Sequence, residues 1–217
     1  AWAQNAKGHD LTIVVNRDED ATELYFAGNA GDLQRIFAVS RDALADSEGL
    51  VDFAKFRDGT WDIGDRLLAK TAVTIAERDA GFEAMSLMFH HPSERLPMTT
   101  PMEAMLAISV CNGPAYGTRQ PLDTLDAYAG YFAHKGSFDV PIRIQFPKTN
   151  GAPINVVIHD YHGADGMVSY RQVISGGEAL VVSPGRDQPL WYRIETLLIL
   201  SWSIIIFFSV AASILMR

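Results

Sequence analysis

From Thr196 to Met216 the chain runs 21 residues without a charged side chain, TLLILSWSIIIFFSVAASILM. At about 1.5 Å per residue, a helix of that length spans about 30 Å, the thickness of a bilayer's hydrocarbon core. Twelve of these residues are Leu, Ile, Val or Phe. At about −0.3 to −0.6 kcal/mol each, their insertion outweighs what the serines cost. A helix of a water-soluble core carries a polar side, and this run has none. The segment therefore predicts a single C-terminal transmembrane helix. Trp191, Tyr192 and Arg193 on one flank and Arg217 on the other stand where a membrane interface is expected.

The predicted helix is not uniform around its circumference. Ser209 and Ser213, with Ala212 beside them, make a small-residue strip that Ile206 and Trp202 continue towards the N-terminus. Small residues let helix backbones approach closely in lipid, where packing replaces the hydrophobic effect. The strip is a candidate contact with another membrane helix, set against a chance scatter of serines in a simple anchor.

The rest of the chain is acidic. Of 18 Lys/Arg and 26 Asp/Glu, only Arg193, Glu195 and Arg217 belong to the tail, which leaves nine excess acids in residues 1–192. Such a surface repels phosphate backbones, so nucleic acid is not an expected partner. The expected partners are the bilayer and other integral membrane subunits. Cys111 is the only cysteine, which excludes an intramolecular disulfide and any multi-cysteine metal site, and it reads as a small buried hydrophobe.

Sidedness has two readings. Ala1-Trp2-Ala3 resembles the surroundings of a signal-peptide cleavage site, which places the domain in a bacterial periplasm with the C-terminus cytoplasmic. The alternative is a cytosolic tail-anchored protein. A β-rich acidic domain without an Asn-x-Ser/Thr site fits the periplasmic reading.

Along the domain, Asp10–Asn16 and Ala21–Ala27 read as a hairpin around the solvated turn Arg17–Asp20. Asp32–Val39 has the spacing of a short helix and Arg41–Glu48 that of a loop. Residues 50–78 fit no single period. Asp58-Gly59 and Ile63-Gly64 read as turns, Thr71–Ala76 as a strand, although Ile63, Leu67, Leu68 and Thr71 also suit a helix. Phe82–Phe89 reads as a strand. Thr100-Pro101-Met102-Glu103 is a capping box with Pro at the first helical position, so Met102–Val110 is expected to be helical. A second helix is expected from Asp123 to His134, burying Leu125, Tyr128, Ala129 and Phe132 and closed by Gly136. Val140–Phe146, Ile154–His159, Met167–Ile174 and Glu178–Val182 alternate between turn-rich pieces and read as four strands of an antiparallel sheet or half a sandwich. Ser183–Pro189 is then a short, stiff link.

The common catalytic and nucleotide-binding signatures are absent from the sequence, namely GxSxG, GxGxxG, a Walker loop and HExxH. Two constellations remain. Met85, Met88, Met98, Met102 and Met105 crowd around His90 and His91, and thioethers with imidazoles suit Cu(I). Methionine also fills cores readily, and Met102 and Met105 lie three apart on a helix that needs a buried side. His159-Asp160-Tyr161-His162 offers two imidazoles and a carboxylate for a divalent ion or for acid–base work, yet exposed polar residues are common in hairpin loops. His90, His91, Met88, Met98, His159 and His162 are thus the metal candidates. No cofactor is predicted, with copper as the alternative.

The expected fold is α+β and β-rich: an antiparallel sheet or sandwich with a few short helices over residues 1–190, with a possible subdivision near 115–135. Residues 191–217 form the transmembrane helix and its interfacial flanks. The expected function is that of a non-catalytic accessory subunit of a larger inner-membrane complex. A periplasmic copper-handling or assembly factor is the alternative, and an anchored enzyme of unknown reaction the third.

Overall fold

The computed structural model describes residues 10–110, 119–148, 153–162 and 166–184, with residues 54–61 described by backbone alone. The chain divides into two units, Ala1–Pro184 and Gly185–Arg217, and every described residue belongs to the first. The expected transmembrane helix, with Trp191, Tyr192, Arg193, Trp202, Ile206, Ser209, Ala212, Ser213 and Arg217, lies outside the described residues, as does Cys111. Among the described residues no helix is long and apolar enough to cross a membrane.

Among the described residues the unit is β-rich, with three α-helices. β1 (Leu11–Arg17) and β2 (Thr22–Asn29) form the expected hairpin. α1 (Ala30–Ile36) follows at once because the Asn29 side chain accepts from the Gly31 N–H and caps it. Then come β3 (Leu50–Asp52), α2 (Phe53–Leu68), β4 (Ala72–Ile75), β5 (Arg78–Asp79) and β6 (Glu83–His90). α3 (Pro101–Ser109), β7 (Arg119–Pro121), β8 (Asp126–Ala133), β9 (Ile142–Gln145), β10 (Ile154–His162), β11 (Met167–Ile174) and β12 (Ala179–Val182) complete it.

These strands build a six-stranded sheet in the order β11-β10-β1-β2-β8-β6, a four-stranded sheet β12-β9-β4-β5, and the small pair β3-β7. All pairings are antiparallel except β1 with β10, so the large sheet is mixed. The four strands expected in one sheet are shared out: β10 and β11 join the large sheet, β9 and β12 the smaller. Alternation sends Leu11, Ile13 and Val15 of β1 and Leu24 and Phe26 of β2 to the inner side of the large sheet. There they share one core with Val73, Ile75, Ile142, Ile144, Leu180 and Val182 of the smaller sheet. Phe26 anchors it, meeting Phe37 and Tyr131 edge-on at 5.1 and 5.8 Å.

Three expectations are corrected. The segment expected to be a helix over Asp123–His134 is a short 3₁₀ turn, Leu122–Thr124, and then β8. β8 lies between β2 and β6 and is buried on both sides. It therefore shows no strand alternation, and its Leu125, Tyr128, Ala129, Phe132 spacing imitates a helix. Gly136 does not cap a helix; a side chain there would collide with the Glu19 backbone. Second, Asp58-Gly59 and Ile63-Gly64 are not turns but lie inside α2. A Cβ on Gly64 would meet the Ala84 Cβ at 2.8 Å, so this glycine lets the helix lie close to β6. Third, Arg17 is not a solvated turn residue: it ends β1 on the inner side, after Leu11, Ile13 and Val15, and is fully buried.

Candidate functional site

The outer side of the large sheet carries a second, smaller core, and α3 closes over it. Ala104, Ala107 and Ile108 pack there with Val14, Tyr25, Ala27, Tyr128 and Met98. The approach is close because the sheet offers Gly130 beneath the helix; a Cβ there would meet the Ile108 Cδ1 at 2.6 Å. The start of α3 is the capping box that the sequence announces. Thr100 Oγ1 accepts from the Glu103 N–H at 3.1 Å. Glu103 Oε2 accepts from the Thr100 and Thr99 N–H groups and the Thr99 hydroxyl at 3.2, 2.9 and 2.7 Å. Burial pushes this carboxyl up, but those hydrogen bonds outweigh it and hold the group below its ordinary value.

His90 fastens the other end. Its Nε2 lies 2.7 Å from the Ala107 carbonyl oxygen, so the proton sits on Nε2 and donates into the last turn of α3. The ring is fully buried, meets Tyr128 edge-on at 4.9 Å, and its Nδ1 has no hydrogen-bond partner. Burial lowers the His90 pKa, only partly offset by the Ala107 hydrogen bond and by Asp126 and Glu94, and this favours the neutral ring. The segment between β6 and α3 is stitched down in the same way. Arg95 grips Asp126 through two hydrogen bonds of 2.6 Å, Tyr128 donates to the Leu96 carbonyl at 3.1 Å, and Tyr161 donates to the Thr99 carbonyl at 2.7 Å.

What this scaffold presents to solvent is apolar. Met102 is 80% exposed, Leu106 54% and Met105 37%. The expectation that Met102 and Met105 fill the core is corrected: the small residues Ala104 and Ala107, with Ile108, take the buried side, and the methionines face out. Apolar side chains gathered on one exposed helix face mark an interaction surface better than a catalytic one.

The metal candidates divide between environments. β6 sends Met88 and His90 to the outer side, where Met98 is buried in the same small core. His91 turns away and caps the 3₁₀ turn Pro92–Glu94, accepting from the Ser93 N–H. His159 and His162 fall on opposite sides of β10. His159 Nδ1 is 2.8 Å from the Ser169 hydroxyl on the outer side. His162 Nε2 is 3.2 Å from Asp160 on the inner side. Among the described residues no three His, Cys, Asp or Glu side chains form a group fit to hold a metal ion.

Sequence reasoning missed the polar cluster that Asp160 shares with Arg17. Arg17 Nε donates to Asp160 Oδ1 at 2.6 Å, Nη1 to the Ser137 and Val140 carbonyls at 2.7 and 2.8 Å, and Nη2 to the Val182 carbonyl at 2.8 Å. The signal was present: Arg17 and Asp160 continue the inward alternation of Leu11, Ile13, Val15 and of Val156, Ile158. Saturated by backbone carbonyls and one carboxylate, this guanidinium is structural. A separate cleft of about 330 Å³ is lined by Asp65, Leu68, Thr71, Val73, Asp79 and Phe82, among others. No protein-family model matches the chain, and no curated protein matches it.

Proposed function

We propose that this protein is a non-catalytic accessory subunit of a larger inner-membrane assembly. The apolar helix Thr196–Met216 packs against other membrane subunits, and the β-rich domain stands on the periplasmic side. The observation that carries this reading is the uncharged run of 21 residues at 196–216, long enough to cross a bilayer and carrying a strip of small residues. The apolar outer face of α3 supports it, since Met102, Met105 and Leu106 supply a surface suited to a protein neighbour. The net acidity of residues 1–192 disfavours contact with anionic headgroups.

Purification from native membranes in mild detergent tests the proposal. The full chain is expected to bring integral membrane subunits with it, and Ser209→Leu with Ser213→Leu to lower their recovery several-fold. A chain recovered alone from the soluble fraction would end the reading. The copper-handling alternative draws on one feature: Met88, Met98 and His90 share the outer side of the sheet, and the His90 Nδ1 lone pair is unpartnered. Titration with Cu(I) addresses it, and absence of tight binding removes it.

A further inference from the structure

A strand at the edge of a sheet is a template for another strand unless it is short, bulged, covered or charged. Three of the edges here are managed in these ways. β5 and β12 are two and four residues long. β6 carries a register shift between Ala84 and Ser86, and α2 packs along it. β11 has neither device: it runs eight residues, pairs with β10 without interruption, carries Arg171 as its one charge, and no described strand lies beyond it.

The free backbone groups of β11 follow from its pairing. The His162 N–H donates to the Gly166 carbonyl at 3.1 Å. Alternation then makes Asp160–Val168, Ile158–Tyr170 and Val156–Gln172 the hydrogen-bonded pairs. The N–H and C=O groups of Met167, Ser169, Arg171 and Val173 therefore point away from β10. The side chains of the same four residues occupy the outer side, where Val173 is 62% exposed and Met167 49%.

We infer that this edge pairs antiparallel with β11 of a second copy of the chain, about a twofold axis through Tyr170. In that register the outward groups meet each other as hydrogen-bonded pairs, Met167 opposite Val173 and Ser169 opposite Arg171 of the second copy. The side-chain pattern is self-complementary: apolar meets apolar, and the arginine meets a hydroxyl. Shifting the axis to Arg171 sets two guanidiniums face to face, which destabilises the pairing. Shifting it to Ser169 sets Arg171 against Met167 and leaves Val173 without a partner. The two large sheets become one continuous sheet across the axis. The join buries the one long edge among the described residues that carries neither a register shift nor a packed helix.

Sedimentation of the full chain in mild detergent, over a range of concentrations, is expected to show a monomer–dimer equilibrium. Ser169→Glu places a carboxylate opposite each Arg171 and is expected to tighten the dimer about tenfold, since two symmetric charge pairs form. Ser169→Lys sets like charges opposite and is expected to weaken it by a similar factor. Ser169 is exposed and its N–H faces outward, so both variants keep the backbone ladder to β10 and give up only the hydroxyl's contact with His159; unchanged unfolding midpoints check that the strand stays in place. A chain that stays monomeric at every concentration overturns the inference, as does a dimer that responds alike to both substitutions. The second result assigns association to the tail or to another face, and the first leaves the edge to a strand from a different protein.

Discussion

Arg17 and His90 show how differently a buried polar side chain can be supported. Arg17 has every nitrogen engaged, and its partners come from β10, from β12 and from the turn before β9. Removing it leaves Asp160 charged and buried, which typically costs about 3–5 kcal/mol. Arg17→Met is therefore expected to lower the urea midpoint severely. Adding Asp160→Leu is expected to recover only part of that loss, because the Ser137, Val140 and Val182 carbonyls stay unpaired. His90 is the opposite case, a neutral ring with one nitrogen unsatisfied. Its folded-state pKa lies below the ordinary value of about 6.5, so the unfolded chain takes up the proton first and stability falls as pH drops below that value. The loss is complete once pH passes the depressed folded value. Denaturation midpoints measured at pH 7.5 and pH 5 should diverge less in His90→Leu than in the native chain. An equal divergence would mean that His90 does not titrate in this window.

At the scale of elements, legibility followed local chemistry. The capping box at Thr100–Glu103 fixed the start of α3 because its signal is contained in four consecutive residues. The hairpin of β1 and β2 was legible because alternation and turn sit side by side in the chain. β8 was not, since a strand covered on both sides loses the alternation that distinguishes it from a helix. α2 was hidden by Gly59 and Gly64, which are unfavourable in helices at about 1 kcal/mol each; for Gly64 the compensation is the close packing against Ala84. The outward turn of Met102 and Met105 was also illegible, because α3 is apolar apart from Glu103 and Ser109 at its ends, and only the sheet beneath decides which side is buried. Thr100→Ala removes the Glu103 N–H acceptor and should destabilise α3 by about 1 kcal/mol. Amide exchange at residues 103–109 should quicken about fivefold, while exchange in β1 and β10 stays unchanged.

At the largest scale, the first unit is closed by the most distant strand pairing among its described residues. β1 lies parallel to β10, matching Leu11 with Val156 through Arg17 with His162, so the N-terminal strand is interior only once the C-terminal third has arrived. No short-range pattern announces a contact of that kind, and this is why the sheet's mixed character was not legible. The same third brings Ile154, Val156, Ile158, Ile174, Leu180 and Val182 to the main core. At about 1.5–3 kcal/mol for each fully buried aliphatic side chain, their combined contribution is comparable to the 5–15 kcal/mol by which a domain is typically stable. A chain ending at Lys148 should therefore show no cooperative thermal transition and no near-ultraviolet dichroism. A chain ending at Pro184 keeps both sheets and the Arg17 contact to Val182, and should melt in one transition. Refolding of the longer fragment should be slow for its size, on the scale of seconds, because the β1–β10 pairing must close most of the chain before it stabilises anything. Ile158→Ala should then slow refolding more than it accelerates unfolding, because closing that pairing is part of the barrier. A fragment ending at Lys148 that melted cooperatively would show that β10–β12 are an addition to a self-sufficient core.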